Sequence, residues 1–255
     1  MFVRFLGQAC TLIETNNERI IVDPWIVGPC NVNSWYTLRR RAATKKDIPT
    51  DIDYIYISHE HQDHFQEETL REFNKNIPIY ICKFPTDRFY NAVLNLGFKN
   101  VIELSSWKSE KLSDDLEITS IKNIDLMFED SALLIKSKEG TVFCQTDCKM
   151  DFESLKKVNA AKPDIGFFMY SVANWYPDVY NYSKEKRDEI AKKRKDNKIN
   201  GFLNYVNVIK PKYAIAYAGG PLFPHESQLK LNYPITVFGC PDEPKMAWDN
   251  SSNTG

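Results

Sequence analysis

Three of the four histidines in this 255-residue chain fall within six residues of one another. The run Tyr54-Ile-Tyr-Ile-Ser58 reads as a buried strand and leads straight into His59-Glu60-His61-Gln62-Asp63-His64. His59 and His61 alternate and can project toward one point; Asp63 and His64 open the next turn and can reach a second point nearby. Imidazole and carboxylate together suit zinc, iron or manganese. The cysteines at 10, 30, 82, 144, 148 and 240 form no CxxC pair, so the thiolate spacing of a structural zinc site is missing.

Composition narrows the class. Hydrophobic residues make up 43% of the chain and aromatics 13%, enough for a sizeable core and too many for a disordered chain. No stretch approaches the roughly 20 apolar residues that span a bilayer. Lys plus Arg is 33 and Asp plus Glu 34, so no global field draws the chain to nucleic acid or anionic lipid. The N-terminal run lacks the pattern of a signal peptide, and the sparse cysteines argue against a disulfide framework; the expected compartment is the reducing cytoplasm.

Pattern along the chain predicts strands at Phe2–Leu6, Cys10–Glu14, Arg19–Val22, Tyr54–Ser58, Ile79–Cys82, Val101–Leu104, Leu116–Ile121, Ala132–Ile135, Val142–Gln145, Ile165–Tyr170 and Tyr213–Tyr217. Helices are expected over Phe65–Phe73, Thr86–Leu96 and Ser183–Val208, with Gly97 ending the second. Runs of strands broken by helices suggest two sheets covered by helices on their outer faces, in an α/β (α+β) protein. Residues 28–50 and 171–200 read as insertions on the substrate side, and 249–255 as a frayed tail of one domain spanning 1–255.

The HxHxDH motif after a strand resembles the hallmark of the metallo-β-lactamase superfamily. Phe5-Leu-Gly-Gln-Ala-Cys-Thr-Leu-Ile-Glu14 and Ile20-Ile-Val-Asp-Pro-Trp25 are similar to its opening strands, Thr146-Asp147 to the strand end carrying its bridging aspartate, and Ala218-Gly-Gly-Pro-Leu-Phe-Pro-His225 to the loop carrying its last histidine. Within the superfamily the chain resembles the ascorbate-6-phosphate lactonase-like hydrolases and, more closely, the metal-binding part of CMP-N-acetylneuraminate hydroxylase. The second likeness is carried by Asp23-Pro-Trp-Ile-Val-Gly-Pro29, Tyr54–His59, Thr146-Asp-Cys148 and Tyr205 through Ala218-Gly219.

The resemblance implies a four-layer αββα sandwich and a site of one or two divalent transition metals, zinc first and iron or manganese as alternatives. His59 and His61 would hold metal one, and Asp63, His64 and His225 metal two. Asp147 would bridge, and Asp23 would orient a ligand histidine from behind. Two departures stand out. No histidine lies between residues 65 and 146, and Asp125 is the substitute nearest in position, with Glu129 and Asp130 as alternatives. Gln8 stands where related sequences often carry histidine. Trp35, Tyr36, Trp175 and Tyr176, in expected loops, are candidates for the walls of a substrate pocket. Arg39-Arg40-Arg41, Arg40 foremost, and the basic run within Ser183–Lys198 read either as solvated faces or as contacts for an anion.

The activity implied is hydrolysis of a small anionic metabolite (a phosphodiester, lactone or nucleotide-sugar type) by metal-activated water, with Asp63 orienting the nucleophile or taking a proton. A different class is also open: a nucleotide-sugar hydroxylase or oxygenase component. The hydroxylase carries a Rieske part, whose paired Cys and His ligands are missing here, so such a component would need a separate redox partner. A third class is a degenerate metal- or ligand-binding module. The sequence does not specify an oligomeric state.

Overall fold

The computed structural model describes residues 1–37, 43–125, 127–172, 174–232, 238–240 and 242–252. Two six-stranded sheets dominate it. The first runs β1 (Phe2–Gly7), β2 (Cys10–Glu14), β3 (Arg19–Val22), β4 (Tyr54–Ile57), β5 (Ile79–Cys82) and β6 (Val101–Leu104), neighbours in space as in sequence. Strands β1 to β3 form an antiparallel meander; β3 to β6 are parallel. The second contains β7 (Ser109–Lys111), β8 (Leu116–Lys122), β9 (Ser131–Ser137), β10 (Gly140–Cys144), β11 (Ile165–Met169) and β12 (Tyr213–Tyr217). It repeats the plan, with β7 to β10 antiparallel and β10 to β12 parallel.

Period-2 alternation decides which face each side chain buries. In β3, Ile20 and Val22 enter the core between the sheets, while Ile21 joins the outer core. In β4, Tyr56 points between the sheets and Ile55 and Ile57 point outward. The second sheet does the same with Val142 and Cys144 against Phe143, and with Phe167 against Phe168. Both faces of the central strands are therefore apolar, and each sheet needs a helical cover. Helices α1 (Glu67–Arg71) and α2 (Arg88–Asn95) cover the first sheet through Leu70, Phe89 and Val93. Helices α3 (Phe152–Ala160) and α4 (Lys184–Ile209) cover the second through Leu155, Val158, Phe202 and Val206, with α5 (Asp242–Ser252) beside α4. The architecture is the αββα sandwich expected from the sequence.

Some local expectations are corrected. The helix expected over Phe65–Phe73 is confined to Glu67–Arg71, because Gln66 caps it by accepting from the Thr69 amide at 2.6 Å. Helices α3 and α5 and the edge strand β7 are additional. Helix α5 covers residues 242–252 and so takes in the first part of the segment read as a frayed tail; 253–255 lie outside the described residues. No helix among the described residues is long and apolar enough to cross a membrane. All six cysteines are free thiols.

Candidate metal centre

The sheets deliver their cluster from strand ends. Strand β4 stops at Ile57, and Ser58 and His59 continue it into the turn that carries His61, Asp63 and His64. Strand β3 stops at Val22 and presents Asp23; β10 stops at Cys144 and presents Asp147; the loop before β9 presents Asp130. Three residues near these ends hold the left-handed region without being glycine: Gln8 at φ 51°, Asp23 at 46° and Thr146 at 55°. Ala218, at φ 48° after β12, donates its amide to the Gln8 carbonyl at 2.9 Å. Such conformations cost about 1–3 kcal/mol each and persist where surrounding contacts enforce them, often at functional sites.

A buried network fixes the imidazoles. Asp23, fully buried, accepts from the Ser58 amide at Oδ1 and from the Ser58 hydroxyl at Oδ2, both at 2.7 Å. The same Oδ2 lies 2.7 Å from His64 Nδ1. Since Asp23 offers only acceptors, His64 Nδ1 must carry the proton. The Ser58 hydroxyl is spent on Asp23, so its oxygen accepts from His59 Nδ1 at 2.9 Å. In the neutral form of each ring Nε2 is then the nitrogen with the lone pair, and it is turned toward the cluster.

Those lone pairs meet carboxylates and another ring. His64 Nε2 lies 3.4 Å from Asp147 Oδ1 and 3.7 Å from Asp63 Oδ2. His59 Nε2 lies 2.8 Å from His61 Nδ1 and 3.8 Å from Asp130 Oδ1. His64 Nε2 is buried and finds no hydrogen-bond partner. Two triads, His59–His61–Asp130 and His59–His64–Asp147, each bring one donor atom apiece to within 4.8 Å of one another. This is a concentration of acceptors that a cation would neutralise. The same carboxylates act on His64: burial alone would lower that imidazole, but Asp23, Asp147 and Asp63 outweigh it and hold it well above its usual value. Burial and the neighbouring His64 push His59 well below the imidazole range. Burial raises Asp63, and burial together with the Asp147 charge lifts Asp130 to about 6. Burial would also raise Asp147, but the neighbouring His64 imidazole outweighs it and drives the carboxyl well below its usual range. The donor set, nitrogen and oxygen with no thiolate, fits a divalent transition metal.

The other residues singled out in the sequence fall as follows. Asp63 is in the cluster, and Gln8 Nε2 donates to its Oδ2 at 3.4 Å. Asp125 is outside both triads: its carboxylate pairs with Lys149 at 2.9 Å on the surface, and Asp130, anchored by Asn123 at 3.0 Å, takes the place by the histidines. His225 is exposed, its Nδ1 2.8 Å from the Ser227 hydroxyl, and belongs to neither triad. Trp35 is only 3% exposed and packs with Trp25, Phe223 and Phe238 beneath the loops, so its area is spent on a small core. Trp175 packs on the same cluster. Tyr36 bridges to Leu222 and is 38% exposed; Tyr176 is half-buried with the Arg194 guanidinium 5.2 Å from its ring centre. Arg40 lies outside the described residues. Ser58 was missed by the sequence reading, because a serine at a strand end carries no signal until its two partners are known.

Two packed sheets between helices, with histidines and aspartates gathered at the strand ends, define a metallo-β-lactamase-type protein. The beta-lactamase superfamily domain matches residues 2–218, and the chain belongs to that family. It is 27% identical over 230 residues to a Mycolicibacterium smegmatis protein named for a Rieske 2Fe-2S centre, a match covering 88% of this chain and 44% of the relative. It is 22% identical over 226 residues to cytidine monophosphate-N-acetylneuraminic acid hydroxylase of Xenopus laevis, covering 85% of this chain and 38% of that one. CmlA, a diiron beta-hydroxylase from Streptomyces venezuelae, superposes with a TM-score of 0.60 at 20% identity, over 85% of this chain and 44% of that one. The chain thus spans less than half the length of these relatives.

Proposed function

We propose that the chain is a single-domain metal-dependent enzyme whose centre is held by His59, His61, His64, Asp130 and Asp147, and that it hydrolyses a small anionic metabolite of the phosphodiester, lactone or nucleotide-sugar type. The observation that carries this is the convergence of the His59 and His64 Nε2 atoms with His61, Asp130 and Asp147 in a buried site, His64 Nε2 having no hydrogen-bond partner of its own. A bound divalent metal would bring the pKa of a water near neutrality and polarise a substrate oxygen. Asp23 and Ser58 would hold the rings in the ligating tautomer. Asp63, its carboxyl raised by burial, would take a proton from the attacking water, and Gln8 Nε2 donates to it. Zinc fits the histidines, while the added aspartates favour iron or manganese. The six free thiols fit a reducing compartment such as the cytoplasm.

A second reading, a partner-dependent hydroxylase component, is favoured by Asp130 standing where a histidine is usual, since an oxygen-rich site suits iron. The relatives named for hydroxylation and for a Rieske centre support it. The discriminating experiment loads the protein separately with zinc and, anaerobically, with ferrous iron. A hydrolysis screen on phosphodiesters, lactones and nucleotide sugars with both forms should give turnover. Hydrolysis with neither, together with substrate-dependent oxygen uptake by the iron form and a reductant, would replace the first reading by the second.

A further inference from the structure

Helix α4 is rich in cations, and most of them are spent on neighbours. Lys184 pairs with Asp188, Lys186 with Glu189, Lys192 with Asp196 and Lys195 with Glu243. Arg194 and Lys198 differ. They lie one turn apart, which places them on one face of the helix and sets like charges side by side at a cost. Neither forms an ion pair among the described residues. Lys198 is half-buried, and its ammonium contacts the Met169 sulfur at 3.6 Å, a weak acceptor that leaves donors unspent. Arg194 donates Nη2 to Asn174 Oδ1 at 3.0 Å, while its Nε is buried with no acceptor at all. Met169 is the last residue of β11, the neighbour of β10, and its amide donates to Gln145 Oε1 at 3.1 Å, two residues before Asp147. Lys198 therefore sits over the strand ends of the second sheet from which Asp147 is presented.

Two adjacent cations with unspent, partly buried donors are costly unless an anion arrives to use them. A methionine or leucine at 198 would pack beside Met169 without that cost.

We propose that Arg194 and Lys198 form an oxyanion-binding pair that holds a phosphate-type group of the substrate beside the metal centre. The inference rests on the metal-centre reading above, whose substrate class it specifies. A guanidinium and an ammonium together match the charge of a phosphate monoester dianion, and the Tyr176 ring and Asn174 hold the guanidinium in place.

The test is calorimetric titration of inorganic phosphate, with acetate as a monoanionic comparison, into the wild type and into Lys198→Met, Lys198→Arg, Arg194→Gln and the control Lys192→Met. Metal content and thermal midpoint are read on each. The expected result is phosphate binding weakened about tenfold or more in Lys198→Met and Arg194→Gln, largely restored in Lys198→Arg and unchanged in Lys192→Met, with metal content and midpoint preserved. Acetate should bind more weakly than phosphate to the wild type. Phosphate binding that is absent from the wild type, or equal in the wild type and Lys198→Met, overturns the proposal. A wild type that takes up no metal sinks the metal-centre reading instead, and the comparison of Lys198→Met with wild type still decides the cation pair.

Discussion

His64 Nδ1 lies 2.7 Å from Asp23 Oδ2, with both side chains sealed from water, and this one contact sets what the other ring nitrogen can do. It fixes the proton on Nδ1 and aims the Nε2 of the neutral ring at Asp147 and Asp63. Asp23→Asn keeps the shape but allows the amide to present N–H to the ring, so the tautomer is no longer enforced. Transition-metal affinity should fall about 10–100-fold. Competition with a chelator of known affinity measures it; unchanged affinity would mean that Asp23 serves only to hold β3 to β4.

Asp130, not Asp125, is expected to complete the triad with His59 and His61. Asp130→Asn should lower metal content at that position while His59–His64–Asp147 keeps its own. Asp125→Asn breaks a solvent-screened surface pair with Lys149 and should leave stability nearly unchanged, with metal content intact. Elemental analysis of both variants decides; loss of metal in Asp125→Asn and retention in Asp130→Asn would reverse the assignment.

Tyr56 ties the two sheets together beneath the site. Its hydroxyl lies 2.7 Å from Ser120 Oγ and 2.8 Å from Ser131 Oγ, and Ser131 in turn donates to the Ser58 carbonyl at 2.6 Å. Tyr56→Phe leaves two buried serines short of a partner and should cost about 1–3 kcal/mol in chemical denaturation. A variant as stable as wild type would show that the serines re-pair at no cost.

Asp164 gives the acid side of the stability curve one identifiable contributor. It accepts from Lys212 Nζ and, at 2.8 Å, from the Thr141 amide, and Lys212 and that amide hold its carboxyl below the usual range. A depressed folded-state pKa stabilises above the unfolded value near 4 and is lost as pH falls through the folded one. Asp164→Asn should therefore narrow the stability difference between pH 6 and pH 3. Parallel denaturation curves at the two pH values check this, and an unaltered difference would remove Asp164 from the account.

The sandwich was legible because Ile20, Ile21 and Val22, or Val142, Phe143 and Cys144, read as apolar runs bounded by turns, the mark of strands buried on both faces. The cluster was legible because histidine is scarce and His59, His61 and His64 follow such a strand. What could not be read was three-dimensional. Asp125 and Asp130 share one loop, and only the Asn123 and Lys149 contacts decide which carboxylate turns inward. Trp35 occupies a loop position in sequence yet is consumed by a local aromatic core with Phe223 and Phe238. Helix α3 was missed because its buried face is only Leu155 and Val158, too little apolar spacing to announce a helix.

The central claim is that the acceptor-rich cluster exists to hold metal. The direct measurement is metal per chain by elemental analysis, for protein purified without chelator and for His59→Ala with His64→Ala, with circular dichroism confirming that the double variant folds. The account predicts at least one transition-metal ion per wild-type chain and near-complete loss in the double variant. A folded wild type that takes up no metal even when zinc, iron or manganese is supplied, or a double variant with wild-type metal content, would contradict it.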